Sequence, residues 1–331
     1  MNICFIDYTP FQYSFFDKES ALLRGAETTL INLSYNLSLL DNNIYVFNNC
    51  SYKYVDNNFH WDSLNNINKY KIYFDVAIAN GDIRLLDKIN AKKKFAISYS
   101  LQNLEKFIRK KQLKSFIINK PKIILIGKYH KEKRNFLTRI FGYNYLNLAV
   151  NDSFISTKIN LDDAIFDKQA IFTSRGDRNG FILYKIWKEF INTVNPDVKL
   201  LSSPIDNIEN PNKYNIFFRE LKNQKFLIDD LKKSRMMLIP GHKAELFCLA
   251  AEEAKELCVP IVTLGIGSLK ERVEHGFTGF IANNYKEFSY YALKLFNDTK
   301  LWNLLRKNLF NQKNKMNWNI SARNFLKVLN S

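Results

Sequence analysis

Short, continuous apolar runs alternate with amphipathic stretches from one end of the chain to the other. The first set of runs is NICFIDY (2–8), NIYVFN (43–48), DVAIAN (75–80), KFAISYS (94–100) and KIILIG (122–127). Between the first two, Leu30, Leu33, Leu37 and Leu40 recur at helical spacing within 26–40. The rhythm then restarts with AIFTS (170–174), helical FILYKIWKEFINTV (181–194), KLLSS (199–203), RMMLIP (235–240) and PIVTLG (260–265). Strands without polar alternation need cover on both faces, which predicts parallel sheets flanked by helices. Two such sets predict an α/β chain of two Rossmann-like, doubly wound domains. The polar stretch 144–164 is the expected seam, giving domains of 1–150 and 151–315. Residues 314–330 read as a separate terminal helix. Loops 8–25 and 49–71 lie at strand ends, where such folds place ligands.

The length of 331 residues agrees with two domains, since one core rarely grows so large. No apolar run reaches the roughly 18–20 residues of a membrane helix, and MNICFIDYTPF lacks the basic start of a secretory signal. Cys4, Cys50, Cys248 and Cys258 are scattered without metal-ligand spacing, which predicts reduced cytoplasmic thiols and no metal site. The net charge of +17 changes the picture more, because such a surplus attracts phosphate. Basic residues cluster in 105–114 and 127–139, with apolar residues interleaved at helical spacing. Two readings stay open: solvated surface in a Lys-rich chain, or a peripheral contact with an anionic membrane. No helix-turn-helix, zinc-finger or RNA-binding signature points to nucleic acid.

The candidate chemistry centres on AELFCLAAEEA (244–254). A helix is expected from near Phe247, with Leu246, Leu249, Ala250, Ala254 and Leu257 on its apolar side. Glu253 falls among them, whereas Glu252, Lys255 and Glu256 form the expected wet face. A half-buried carboxylate needs hydrogen-bond donors, supplied either by another part of the chain or by a ligand. A carboxylate accepts two hydroxyls at once, which suits the diol of a ribose. Glu245 stands just before the helix, near the outward amides of Phe247, Cys248 and Leu249, which favour anions. A diphosphate across those amides, ribose on Glu253 and sugar hydroxyls near Glu245 together outline a nucleotide-sugar.

At this point the chain resembles a known family. ELFCLAAEEA is similar to the E-x7-E motif of retaining GT-B glycosyltransferases, the glycosyltransferase family 4-like or "group 1" enzymes. Four further segments match in order: RGAETTLINLSYNLSL (24–39), FTSRGDRNGF (172–181), PIVTLGIGSLKERVEHGFTGFI (260–281) and NWNISARNFLKVL (317–329). The resemblance implies two Rossmann-like domains facing a central cleft, an acceptor domain first and a donor domain second. The terminal helix, about 316–331, would cross back to the first domain.

The resemblance also implies roles. Glu245, Arg175 and Arg178 would be catalytic, the arginines steadying the departing diphosphate; a surface pair with Asp177 is their rival reading. Glu253, Gly25, Phe247, Cys248, Leu249 and Gly267 would hold the donor. The family's first loop Gly is replaced by Arg24, and its usual Lys by Arg178. Tyr99, with Ser98, Ser100 and Gln102 around it, stands where the family often has a His, and would orient the donor sugar. His60, His130 and His275 read as surface or turn residues, and Glu271 as structural. No Asp-x-Asp pair appears and the DD at 162–163 and 229–230 is polar helix, so a metal-independent transfer without cofactor is expected. The donor would be a nucleotide-diphosphate sugar. The acceptor would be a glycan or lipid-linked sugar of bacterial cell-surface polysaccharide, met in the cytoplasm or at the inner membrane face. A catalytically impaired GT-B domain that binds nucleotide or a partner protein is the alternative.

Overall fold

The computed structural model describes residues 1–20, 23–101, 104–162, 168–313 and 317–331. Two units divide the chain: Met1–Ala149 with Met316–Ser331, and Val150–Lys315.

The first unit holds strands β1 (Asn2–Asp7), β2 (Asn43–Asn48), β3 (Tyr54–Asp56), β4 (Phe59–Ser63), β5 (Phe74–Asn80), β6 (Ala91–Ile97), β7 (Lys122–Leu125) and β8 (Tyr143–Tyr145). Their order is β3-β4-β2-β1-β5-β6-β7-β8, parallel throughout except for β3 against β4. The chain moves outward from β1 on one side, then returns to β5 and moves outward on the other. The order therefore reverses between β1 and β5, where Asp7 lies in register with Asn80. Both faces of β1 are buried, as its unbroken apolar run requires. Its helices are α1 (Gly25–Ser38), α2 (Leu104–Arg109), α3 (Leu113–Asn119), α4 (Lys128–Lys133) and the last one, α12 (Trp318–Asn330). Glu27 closes the start of α1 by accepting the Arg24 amide at 3.1 Å. The basic stretch 105–114 is two helices rather than one, split at Lys111, whose φ is +54°. Residues 49–71 are not a loop either. They form β3, β4 and the 3₁₀ turn Leu64–Lys69, pinned by the Trp61 indole donating to Asn48 at 2.9 Å. α12 buries Trp318, Phe325 and Leu329, packs against α1, and its Ser321 hydroxyl donates to the Asn147 carbonyl.

The second unit holds β9 (Gln169–Phe172), β10 (Lys199–Ser202), β11 (Ile216–Phe218), β12 (Met236–Leu238), β13 (Ile261–Thr263) and β14 (Gly279–Ile281). All six are parallel in the order β11-β10-β9-β12-β13-β14, so this sheet reverses between β9 and β12. The helices are α5 (Asp152–Ile155), α6 (Gly180–Ile186), α7 (Gln224–Lys232), α8 (Leu249–Glu256), α9 (Leu269–Arg272), α10 (Tyr285–Asn297) and α11 (Thr299–Phe310). The helix expected over 181–194 is α6 followed by a π turn, Trp187–Ile191. Among the described residues, no helix is long and apolar enough to cross a membrane.

Candidate active site

In open α/β sheets, ligands bind beyond the carboxyl ends of the strands where the order reverses. In the second unit that point lies between the loops leaving β9 and β12. The first loop carries Arg175, Asp177, Arg178 and Asn179; the second carries Gly241, His242, Lys243 and Glu245. Asn179 joins them by donating to the Gly241 carbonyl at 2.5 Å. Arg178 Nη1 lies 3.2 Å from His242 Nδ1, which also accepts the Ala244 amide at 3.1 Å. That acceptor role leaves the proton of a neutral imidazole on Nε2. Burial and then the Arg178 charge both push the His242 pKa below its usual range.

Glu245 is half-buried in this corner. Burial raises its carboxyl above the ordinary range, opposed by Arg178, by the Cys248 amide and by Arg175. Its carbonyl accepts the Ser268 amide at 3.0 Å, which draws the loop after β13 beneath it. Gly267 sits there with φ +74°, and a Cβ on it would fall on the His242 carbonyl oxygen. Only glycine allows that approach. Arg175 stands further out, 58% exposed against 26% for Arg178, and its guanidinium pairs with Asp177 at 2.5 Å. So the expected pair with Asp177 exists for Arg175 and, more loosely at 3.9 Å, for Arg178, which is the more buried of the two and also reaches His242.

Glu253 lies on α8, half-buried, with its pKa pushed up to about 7 by burial against the opposing charge of Arg219. Among the described residues, none donates a hydrogen bond to its carboxylate. Arg219, just after β11, is buried and held by Asp230 at 3.1 Å. Around α8 the sequence reading needs two corrections. The helix begins at Leu249, not near Phe247, because Cys248 adopts φ +64° as its N-cap. The Cys248 amide is engaged by Glu245, so of the three amides expected to face an anion only that of Leu249 belongs to the helix. Phe247 is buried beneath the Arg272 guanidinium, 4.4 Å from its ring centroid. Glu252 is also not on a wet face. It is 5% exposed and paired with Arg272 at 3.0 Å and Lys255 at 3.2 Å. Glu256 is likewise buried, 3.8 Å from Lys313. Buried carboxylates persist where such partners meet them.

Residues 196–312 match the family described as glycosyl transferases group 1. This group 1 segment contains Glu245, Glu253 and Gly267, and it begins after Arg175 and Arg178. Solved structures match almost the whole chain. Sucrose-phosphate synthase from Thermosynechococcus elongatus is 12% identical, with a TM-score of 0.73 over 99% of this chain and 98% of that one. HepE from Anabaena, solved with UDP-glucose, is 13% identical, with a TM-score of 0.70 over 100% and 99%. WaaG, a glycosyltransferase involved in lipopolysaccharide biosynthesis, is 10% identical, with a TM-score of 0.70 over 99% of each chain. At such identity the likeness establishes the fold, which is GT-B. No curated protein matches.

In the first unit of this GT-B chain, the reversal between β1 and β5 also carries polar side chains. Tyr99 donates to Asn80 at 2.8 Å, Asn80 to Asp7 at 3.0 Å, and Tyr13 to the other Asp7 oxygen at 2.7 Å. Burial lifts Asp7 above the usual carboxylate range despite these donors. Tyr99 is thus fixed at the strand ends, and Gly25 opens α1. Gln102 and Asp163 lie outside the described residues. His130 requires a correction. It is 2% exposed, and burial lowers its pKa to about 4. Its Nδ1 accepts the Ile126 amide at 3.4 Å, and the ring bonds the Ser100 backbone. A neutral imidazole therefore braces the loop bearing Tyr99. Its position among Lys128, Lys131 and Lys133 hid it, because the basic neighbours gave α4 a polar pattern.

Proposed function

We propose that the protein is a retaining glycosyltransferase, moving a sugar from a nucleoside-diphosphate sugar to a glycan or lipid-linked acceptor of bacterial cell-surface polysaccharide. One observation carries the reading: an under-satisfied Glu245 stands beside Arg178 and Arg175 at a strand-order reversal, and a second under-satisfied carboxylate, Glu253, lies on the helix that follows, inside a segment that matches group 1. Glu253 accepts the ribose diol, and Glu245 accepts hydroxyls of the transferred sugar. The diphosphate meets the first amides of α8, which no side chain caps, together with the Arg178 and Arg175 guanidinium groups. Preorganised donors aimed at a leaving group are commonly worth about 10²–10³ in rate each. These cations take the place of a metal, and no resident cofactor is needed. The departing phosphate itself accepts the proton of the acceptor hydroxyl. HepE was solved with UDP-glucose, which makes a UDP-sugar the first donor to try.

Val150–Lys315 is then the donor domain, and the first unit receives the acceptor. Exposed Ile117, Ile118 and Phe136 lie among Lys114, Lys120 and Arg139. That mixture supports a peripheral contact with an anionic membrane from the cytoplasmic side.

A thermal-shift screen with UDP-, GDP-, ADP- and CMP-sugars tests the donor role, followed by anomeric analysis of any product by NMR. One donor class should raise the melting temperature, and the product should keep the donor's anomeric configuration. An inverted product would overturn the retaining assignment. Tyr99 favours a second reading, a GT-B domain that binds nucleotide without transferring sugar, since a phenol fixed to Asn80 does not supply an imidazolium. Donor binding with neither transfer nor hydrolysis would select it.

A further inference from the structure

The glycosyltransferase reading leaves the acceptor's chemistry open, and an inference about the acceptor rests on that reading. A cavity of about 530 Å³ opens at the β1/β5 reversal of the first unit. One side of it is Asp7, Glu27, Asn80 and Tyr99, side chains suited to sugar hydroxyls. The other side is the turn joining α2 to α3, with Arg109, Lys110 and Lys111. That turn is fixed. The Lys111 amide donates to Ile108 at 2.9 Å and the Gln112 amide to Phe107 at 2.8 Å, with Gln112 buried and its side chain donating to Asp82 at 3.0 Å.

The cations of this rim are not equivalent. Arg84 is neutralised by Asp82, with Nη2 2.6 Å from Oδ2. Arg109, Lys110 and Lys111 are exposed, and no carboxylate among the described residues pairs with them. After burial, the charges of Lys110 and Arg109 help hold Lys106 below its usual range, so the positive charges crowd one another. The end of a helix favours a cation in its last turn, which covers Arg109 but not Lys110 and Lys111 beyond it. Three like charges on a fixed turn, beside a cavity lined with hydroxyl-binding groups, suit a ligand with an anionic end and a polyol end.

We propose that the acceptor carries a phosphate or carboxylate group, and that Arg109, Lys110 and Lys111 select it through that group. The phosphate belongs either to a free sugar phosphate or to a lipid-linked one; the chemistry recognised is the same.

The test compares the wild type with Arg109→Ala/Lys110→Ala/Lys111→Ala, and with Lys71→Ala/Lys88→Ala/Lys92→Ala as a control of equal charge loss elsewhere on the unit. All six positions are exposed, so folding is not at stake. Hexose 1- and 6-phosphates are titrated by calorimetry beside the uncharged hexoses, with UDP titrated into every protein. A sugar phosphate should bind the wild type about tenfold tighter than its hexose or more, the scale of a charge-assisted contact. The first variant should lose that preference, the control should keep it, and UDP affinity should be unchanged in both. Equal affinity for sugar and sugar phosphate in the wild type overturns the proposal, as does a preference that survives the first variant. Binding to phosphatidylglycerol vesicles without any preference among the soluble sugars also overturns it, because the cluster then reads a lipid surface. A wild type that binds no nucleotide counts against the donor reading of the second unit and leaves the anion test standing.

Discussion

Glu253 places the donor hypothesis on a single titratable group. With its pKa near 7, the carboxyl is partly protonated at neutrality in the free protein. Hydroxyls that donate to the carboxylate favour its ionised form, so nucleotide binding should expel the proton. Affinity should therefore rise with pH through about 7 and level off above it, and Glu253→Gln should flatten the profile in calorimetry. Glu253→Ala should weaken UDP binding by about 1.5–3 kcal/mol, the worth of a charge-assisted hydrogen bond. An unchanged dissociation constant would exclude the ribose role. The position of this residue on the apolar side of its helix was legible from Leu249 and Leu257 four residues away on either side. That Glu252 is buried was not. Its burial depends on Arg272, twenty residues further on, and helical spacing sees only neighbours within a turn or two. Left-handed Cys248 escaped for a related reason: a non-glycine residue with positive φ leaves no compositional trace.

At the level of elements, the long buried strands were the most legible, because both faces are apolar and every residue in the run is informative. β2 spans 43–48 as expected, and β5 differs by one residue at its start. β3, β8, β11 and β14, three residues each, do not register as strands in the pattern, whereas the equally short β12 and β13 register because RMMLIP and PIVTLG extend the apolar run beyond each strand. Two loops make their own predictions. Gly267→Ala combines a positive φ with a blocked approach to His242, so it should destabilise the second unit by about 1–3 kcal/mol in thermal melts. His130 braces the Tyr99 loop as a neutral ring. A base whose folded pKa is depressed gives stability that is complete above its unfolded value near 6.5 and lost as pH falls towards about 4. The contribution is roughly 3 kcal/mol. The stability difference between wild type and His130→Asn should shrink across that window; a constant difference would mean that the imidazole is charged in the folded protein.

Over the whole molecule, the doubled α/β rhythm and a separate terminal helix follow from the hydrophobic pattern, whereas the return of that helix to the first unit is implied only by the family resemblance. The chemistry does not follow from the pattern, because the strand-order reversals that gather each set of loops are properties of topology. Nothing in the spacing of 175, 178, 242 and 245 brings them together; the adjacency of β9 and β12 does. The division into two units makes a separable prediction. Phe325→Ala in α12 empties a buried site in the first unit and should cost about 3–5 kcal/mol there. UDP binding by Val150–Lys315 should persist where the first unit is already loosened, as followed by calorimetry and by hydrogen exchange in the same sample. Loss of both together would show that the units do not fold independently.

That last helix also bears on synthesis. Domains usually form in the order in which the ribosome makes them. Here α1 waits for a partner that emerges only after all of Val150–Lys315 has been translated. The half begun first is thus the half completed last, and until α12 arrives the nascent chain carries the uncovered α1 surface as a place for chaperones to hold.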